Sequence, residues 1–250
     1  MRKHILSSGK PTIVFAVLFL IANVTFADIV ISSGTTMNVS SGTTVVLAGD
    51  FTNNGSADLG DGTFVFNDSD LQNVGGTSIS EFGNLTINNS GFGIALGQDI
   101  RVDGTLTLTS GYLALGASDL TLGEVSSISG TFSSSELIVG AATGVIRKEF
   151  ADDTGANPDS FLFPIGDLSY NYTPISIDFS TGDFSSAYVE INVHNAKEPS
   201  NTSIDSYLNR YWEIYTFGIT DYLYDATATY VDGDIVGTEA DISGALYTGT

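Results

Sequence analysis

Four glycines keep a regular beat through the first half of the chain: Gly42, Gly62, Gly83 and Gly104 stand 20, 21 and 21 residues apart. Each opens a short β-favouring run: Gly-Thr-Thr-Val-Val-Leu, Gly-Thr-Phe-Val-Phe-Asn, Gly-Asn-Leu-Thr-Ile-Asn and Gly-Thr-Leu-Thr-Leu-Thr. Counted from the glycine, the second residue gives the column Thr44, Phe64, Leu85, Leu106, and the fourth gives Val46, Phe66, Ile87, Leu108. Side chains alternate across a strand, so both columns lie on one face. A repeat of this length with apolar columns in register predicts a solenoid, each coil stacked on the last. An antiparallel sandwich or meander also has short strands and frequent turns, but column register over three intervals favours the solenoid. The expected fold is all-β: a right-handed parallel β-helix of 20- to 21-residue coils, then an antiparallel β-sandwich-like module.

Glycine at the beat reads as a turn residue that adopts positive φ without steric cost. Asn53 and Asn73, 20 residues apart, are candidates for a stacked amide ladder. A further coil is expected near Gly123, its column continuing as Val125 and weakening at Ser127. The run Leu137-Ile138-Val139 is expected to close the stack, and residues 29–39 to cap its first coil, since open β-edges invite aggregation.

Residues 1–27 read as a cleaved secretory signal. Arg2, Lys3, His4 and Lys10 give a basic start, residues 13–21 an apolar core too short to span a bilayer, and Thr25-Phe26-Ala27 a small-residue cleavage site. Removing it leaves 5 Lys and Arg against 29 acids, a net charge of −24. Such a surface argues against binding to nucleic acid, which needs clustered cations, and no later segment reads as a transmembrane span. The chain has no cysteine, so its core must hold the fold without disulfides.

Composition shifts near residue 145: Pro158, Pro164, Pro174, Pro199, Trp212 and ten of the eleven tyrosines lie beyond it. We therefore read residues 28–143 as the solenoid and 144–250 as the sandwich-like domain, whose strands are longer and richer in aromatics.

The runs Gly83-Asn84-Leu85-Thr86-Ile87-Asn88-Asn89-Ser90-Gly91, Ala95-Leu96-Gly97-Gln98-Asp99-Ile100 and Gly104-Thr105-Leu106-Thr107-Leu108-Thr109-Ser110-Gly111 resemble the β-strand repeats of large secreted and surface proteins of Bacteroidota. The later series is similar too: Gly144-Val145-Ile146-Arg147-Lys148, Phe163-Pro164-Ile165-Gly166-Asp167 and Leu208-Asn209-Arg210-Tyr211-Trp212-Glu213-Ile214. The resemblance implies a structural or adhesive role outside the cell, as cargo of type IX secretion, and supplies no catalytic residues. Members often carry a C-terminal sorting domain. The present sequence ends at Leu246-Tyr247-Thr248-Gly249-Thr250 inside a strand-rich module, which reads either as a fragment of a longer product or as an interrupted gene.

No arrangement in the sequence commits it to catalysis. A lyase needs a cation and a base, and the solenoid region offers only Arg101, which with Asp99 and Asp103 reads as a surface ion pair. Asp68 and Asp70 read as a turn rather than a glycosidase pair. His194, the only histidine after the signal, lacks a Gly-x-Ser-x-Gly elbow and reads as a loop or rim residue. With one histidine and no cysteine, a histidine-based zinc site is excluded. Calcium is the one cofactor with candidate sites, hard oxygen ligands clustering at Asp152, Asp153 and Asp159 and again at Asp232-Gly233-Asp234. Arg210, Tyr211 and Trp212 form the densest cationic and aromatic cluster. They could stack on a glycan partner, or Trp212 could anchor the core. The expected function is a non-enzymatic adhesive scaffold, with a carbohydrate-binding module of a larger degradative protein as the alternative.

Overall fold

A computed structural model describes residues 24–140, 143–155 and 160–247. The chain is wound into stacked coils, each giving one strand to each of three parallel sheets. The first sheet contains Val24–Phe26, Thr44–Leu47, Thr63–Phe66, Asn84–Asn88, Thr105–Ser110 and Ser127–Gly130. The second runs from Ile29–Ile31 through Phe51–Asn53, Gln72–Gly76, Ile94–Leu96, Leu113–Ala114 and Ile138–Val139 to Ile165–Gly166. The third holds Thr36–Asn38, Ser56–Asp58, Ser80–Phe82, Ile100–Val102, Leu120–Leu122 and Ile146–Phe150. This is a β-solenoid of about five turns with a small antiparallel sheet at its C-terminal end, and its only helical pieces among the described residues are two short 3₁₀ turns.

The interior is built from vertical columns. Phe64 pairs with Leu85, and Leu85 with Leu106, as the glycine beat predicts. At the ends the register differs from the sequence expectation. Val45, not Thr44, stands over Phe64, and Leu47, not Val46, over Phe66. Gly42 sits one step earlier in its coil than Gly62, because Thr43 lies level with Gly62 and its carbonyl accepts the amide of Thr63 at 2.9 Å. Beyond Leu106 the column passes to Ile128 rather than Val125, which lies in the preceding turn and is 87% exposed. The aliphatic column is broken by a cluster of Phe51, Phe64, Phe66 and Phe82, all fully buried, with ring centroids 5.3 to 6.4 Å apart. Each such side chain contributes roughly 1.5–3 kcal/mol by leaving water.

Positive φ explains only part of the glycine beat. Gly42 has φ +78°, but Gly62, Gly83 and Gly104 do not lie in the left-handed region. Their requirement is space: a Cβ on Gly83 would stand 1.8 Å from the carbonyl oxygen of Gly60 in the coil above. Corners are tied by side-chain oxygens that accept a backbone N–H from the next coil. Asp50 accepts from Asn73 (2.8 Å), Asn84 from Thr105 (3.0 Å), Asp99 from Asp119 (2.9 Å) and Asp119 from Val145 (3.0 Å). The Asn53–Asn73 ladder is not formed. Asn53 is buried and donates to the carbonyl of Ile79 (2.8 Å), whereas Asn73 faces outward against Asp50. The buried amide contact joins instead Asn89 to Gln72 (3.1 Å), whose own amide reaches the carbonyls of Leu47 and Gly49.

At the C-terminal end, Ile146–Phe150 pairs in parallel with Leu120–Leu122 and antiparallel with the 20-residue strand Ile175–His194. This strand, which lies beyond the expected 143/144 boundary like Ile146–Phe150 itself, extends the third sheet. Asp153–Gly155 and Ser160–Phe163 pair along the same side of it, and the 18-residue strand Tyr211–Ala228 along the other. Phe150, Phe179 and Phe184 meet at 5.3 to 5.9 Å over the end of the last coil. Beneath them the ammonium of buried Lys148 donates to the carbonyls of Gly123 (2.7 Å) and Glu124 (2.8 Å). The run Leu137-Ile138-Val139 lies within the second sheet, between Leu113–Ala114 and Ile165–Gly166. At the other end Ile29–Ile31 and Thr36–Asn38 are themselves sheet strands. One apolar cluster runs unbroken from Ile31 to Ile219.

Candidate functional site

The outer face of the third sheet, where the coils give way to the antiparallel strands, carries Arg101 and Arg147 and a set of aromatic rings. Alternation sets which residues stand there. Ile191 lies opposite Ile146 and Ile214 and points inward, so the flanking set Arg147, Glu190 and Tyr215 points outward. Arg147 donates from Nε to Glu190 (2.8 Å), and its guanidinium carbon lies 4.4 Å from the centre of the Tyr188 ring. Tyr188 in turn stacks on Phe217 at 5.1 Å and 16°. A second stack joins His194 to Tyr211 at 4.5 Å and 14°, with His194 Nε2 3.1 Å from the carboxylate of Glu213. Rings this close and this nearly parallel turn their faces to one another rather than to solvent. Tyr215 and Phe217 are 52% and 50% exposed.

Arg101, expected in an ion pair with its strand neighbours, binds Asp103 at 2.7 Å and also reaches two coils onward. It holds Glu149 in a bidentate contact of 3.0 and 2.7 Å. Gly123 lies between them, and a Cβ there would stand 3.0 Å from the Arg101 Nη2. Both carboxylates raise the Arg101 guanidinium well above its usual range, the hydrogen bond it donates to Glu149 contributing most. Asp99 is not part of this pair; it caps the Asp119 amide.

The cluster Arg210-Tyr211-Trp212 is not brought together as one surface. The Arg210 side chain is 0% exposed and lies between two buried carboxylates, Asp167 (2.7 Å) and Asp234 (3.0 Å). Burial lowers the Arg210 pKa, and the hydrogen bonds it donates to Asp234 and Asp167 more than reverse that, so the guanidinium stays charged. Burial pushes the Asp167 carboxyl up, but hydrogen bonds from Arg210, Asn171 and Ser169 outweigh it and hold it below the ordinary carboxylate range. Trp212 is half-buried against the core, its indole N–H donating to the carbonyl of Thr173 at 2.9 Å. Tyr211, between them in sequence, faces the other side of the sheet in its stack with His194. An open cleft of about 620 Å³ lies beside this buried centre, lined by Asn171, Asn195, Val231, Asp232, Gly233 and Asp234.

Of the calcium candidates, Asp152 is exposed and accepts the amide of Ser186 (2.6 Å), Asp153 pairs with Phe184 in the sheet, and Asp159 lies outside the described residues. Among the described residues no group of three or more His, Cys, Asp or Glu side chains is placed to hold a metal ion. The Asp167–Arg210–Asp234 triad escaped sequence reading because its members are 43 and 24 residues apart. The outward alternation of Tyr211, Glu213, Tyr215 and Phe217 was visible in the sequence and could have identified the stacked face. No helix among the described residues is long and apolar enough to cross a membrane. Comparison with protein-family models, curated proteins and solved structures gives no match.

Proposed function

We propose that this chain is an exported structural or adhesive scaffold without catalytic activity, directed outside the cell by residues 1–27 and presenting a stiff, acidic surface there. The observation that carries this reading is the continuous interior column from Val45 to Ile128, sealed at its C-terminal end by Phe150, Phe179 and Phe184. It makes a rod whose coils support one another. Arg101 supports it too, since it ties three successive coils through Glu149 rather than facing a cleft. The resemblance to Bacteroidota repeat proteins, and hence type IX secretion and surface display, supports the same reading from sequence.

The carbohydrate-binding alternative draws on the exposed tyrosines, but Arg210 and Trp212 are engaged in the interior. Purified protein incubated with neutral and acidic polysaccharides is expected to release no new reducing ends or unsaturated products. Beads coated with it are expected to adhere to cell surfaces while free oligosaccharides fail to compete. Time-dependent product formation refutes the scaffold reading. Retention on a glycan column that is lost in a folded Trp212→Ala variant establishes the alternative.

A further inference from the structure

The outermost strand, Tyr211–Ala228, is paired only with Ile175–His194. Among the described residues its backbone has no hydrogen-bond partner on the opposite side. Edges of this length are ordinarily blunted by Lys, Pro or a bulge. The stretch Tyr211–Phe217 has neither Lys nor Pro, and it pairs with His194–Tyr188 without a register shift. Only after Phe217 does the strand break step, at Gly218 with φ +67°. An open edge of seven residues in unbroken register is left, bounded on one side by that irregularity.

Both ring stacks on the outer face end at this edge. One runs from Arg147 through Tyr188 to Phe217, the other from His194 to Tyr211. Their steps of 5.1 and 4.5 Å are close to the spacing of about 4.8 Å between neighbouring strands, so a further strand would carry its rings onto Phe217 and Tyr211. These two residues are equally far from Ile214, three positions on either side.

We propose that this edge is a homodimer interface, in which two copies pair Tyr211–Phe217 antiparallel about a two-fold axis at Ile214. In that register Tyr211 faces Phe217 of the partner subunit, and the stacks fuse into two equivalent runs, each beginning at Arg147 of one protomer and ending at the imidazole of the other. Glu213 falls opposite the partner's Tyr215, where a phenol hydroxyl can donate to the carboxylate, while a register shifted by two residues, with the axis at Glu213, would set the two Glu213 carboxylates against each other. Trp212 falls opposite the partner's Thr216 on the inner side. A two-fold contact must be self-complementary, and this strand meets that condition. Each chain carries a net charge of −21, so the protomers repel, and association strengthens as salt screens that repulsion.

The test is sedimentation equilibrium of the full chain across a concentration series up to about 100 µM, at salt from about 0.05 to 0.5 M. A dimer is expected, tighter at high salt. Phe217→Lys, at a half-exposed position that leaves the core intact, should weaken it by about tenfold or more. Because the chain has no cysteine, Ile214→Cys reads the register directly: oxidation should give a disulfide-linked dimer, and Glu213→Cys should not. A monomer at all concentrations overturns the proposal, including one whose edge amides are protected from exchange because some other segment covers them. So does a dimer indifferent to Phe217→Lys, or one that fails to cross-link through Ile214→Cys.

Discussion

Arg210 shows how far a single residue can be misjudged when only its neighbours in sequence are considered. Beside Tyr211 and Trp212 it looks like part of a binding surface, yet alternation turns it inward between Asp167 and Asp234. A buried charge stripped of its partner is far costlier than an exposed one. Arg210→Ala should therefore destabilise the protein by about 3–5 kcal/mol in urea unfolding. Arg101→Ala, which breaks a bidentate but part-exposed pair, should lose only about 1 kcal/mol. The triad also fixes an acid limb. The Asp167 carboxyl titrates below its unfolded value when folded, so the stability it adds is complete above about pH 4 and is lost as pH falls through the lower, folded value. The urea midpoint should drop through that window in the parent and less steeply in Asp167→Asn.

At the scale of strands and turns, the sequence showed the period and the middle of the column but misplaced its ends. Phe64, Leu85 and Leu106 could be aligned because Gly62, Gly83 and Gly104 occupy equivalent corners. Gly42 does not, and one extra residue before the strand moves Val45 into the place of Thr44. Val125 reads as the next rung because turn length is not written in hydrophobicity, whereas Ile128 takes that place. The corner acceptors Asp50, Asp99 and Asp119 were invisible for another reason: in so acidic a chain, an aspartate that caps the next coil looks like one that only faces water. The glycines themselves are governed by the approach of coil to coil. Gly83→Ala, forced against the Gly60 carbonyl, should destabilise more than Gly42→Ala, which meets open space and carries only the strain of positive φ. Phe64→Ala removes a ring that contacts three others and should lose about 3–5 kcal/mol in the same assay.

Across the whole molecule, the antiparallel strands act as the closing cap of the solenoid. Their apolar residues belong to the cluster that begins at Ile31, and Trp212 packs against that cluster at the far end. The single tryptophan therefore reports on the cap while far-UV circular dichroism reports on all the coils. Thermal unfolding followed by the two probes should coincide, and separate midpoints would mean that cap and coils melt independently. The proposed export has a second consequence. Cleavage after Ala27 would remove Val24–Phe26, which pairs with Val45–Leu47, and would leave Thr44–Leu47 as the first strand of its sheet. The mass of the mature protein, expected to begin at Asp28, checks this.

The central claim is that neighbouring coils lie in parallel, with Thr86 directly beside Thr107 on the outer face. Adjacent strands bring such positions to about 4.8 Å, within reach of a disulfide. In this cysteine-free chain, the double variant Thr86→Cys, Thr107→Cys should oxidise to an intramolecular link that peptide mass mapping places between those two residues. Thiols that stay free under oxidation, or that link only between molecules, would contradict the stacked-coil architecture.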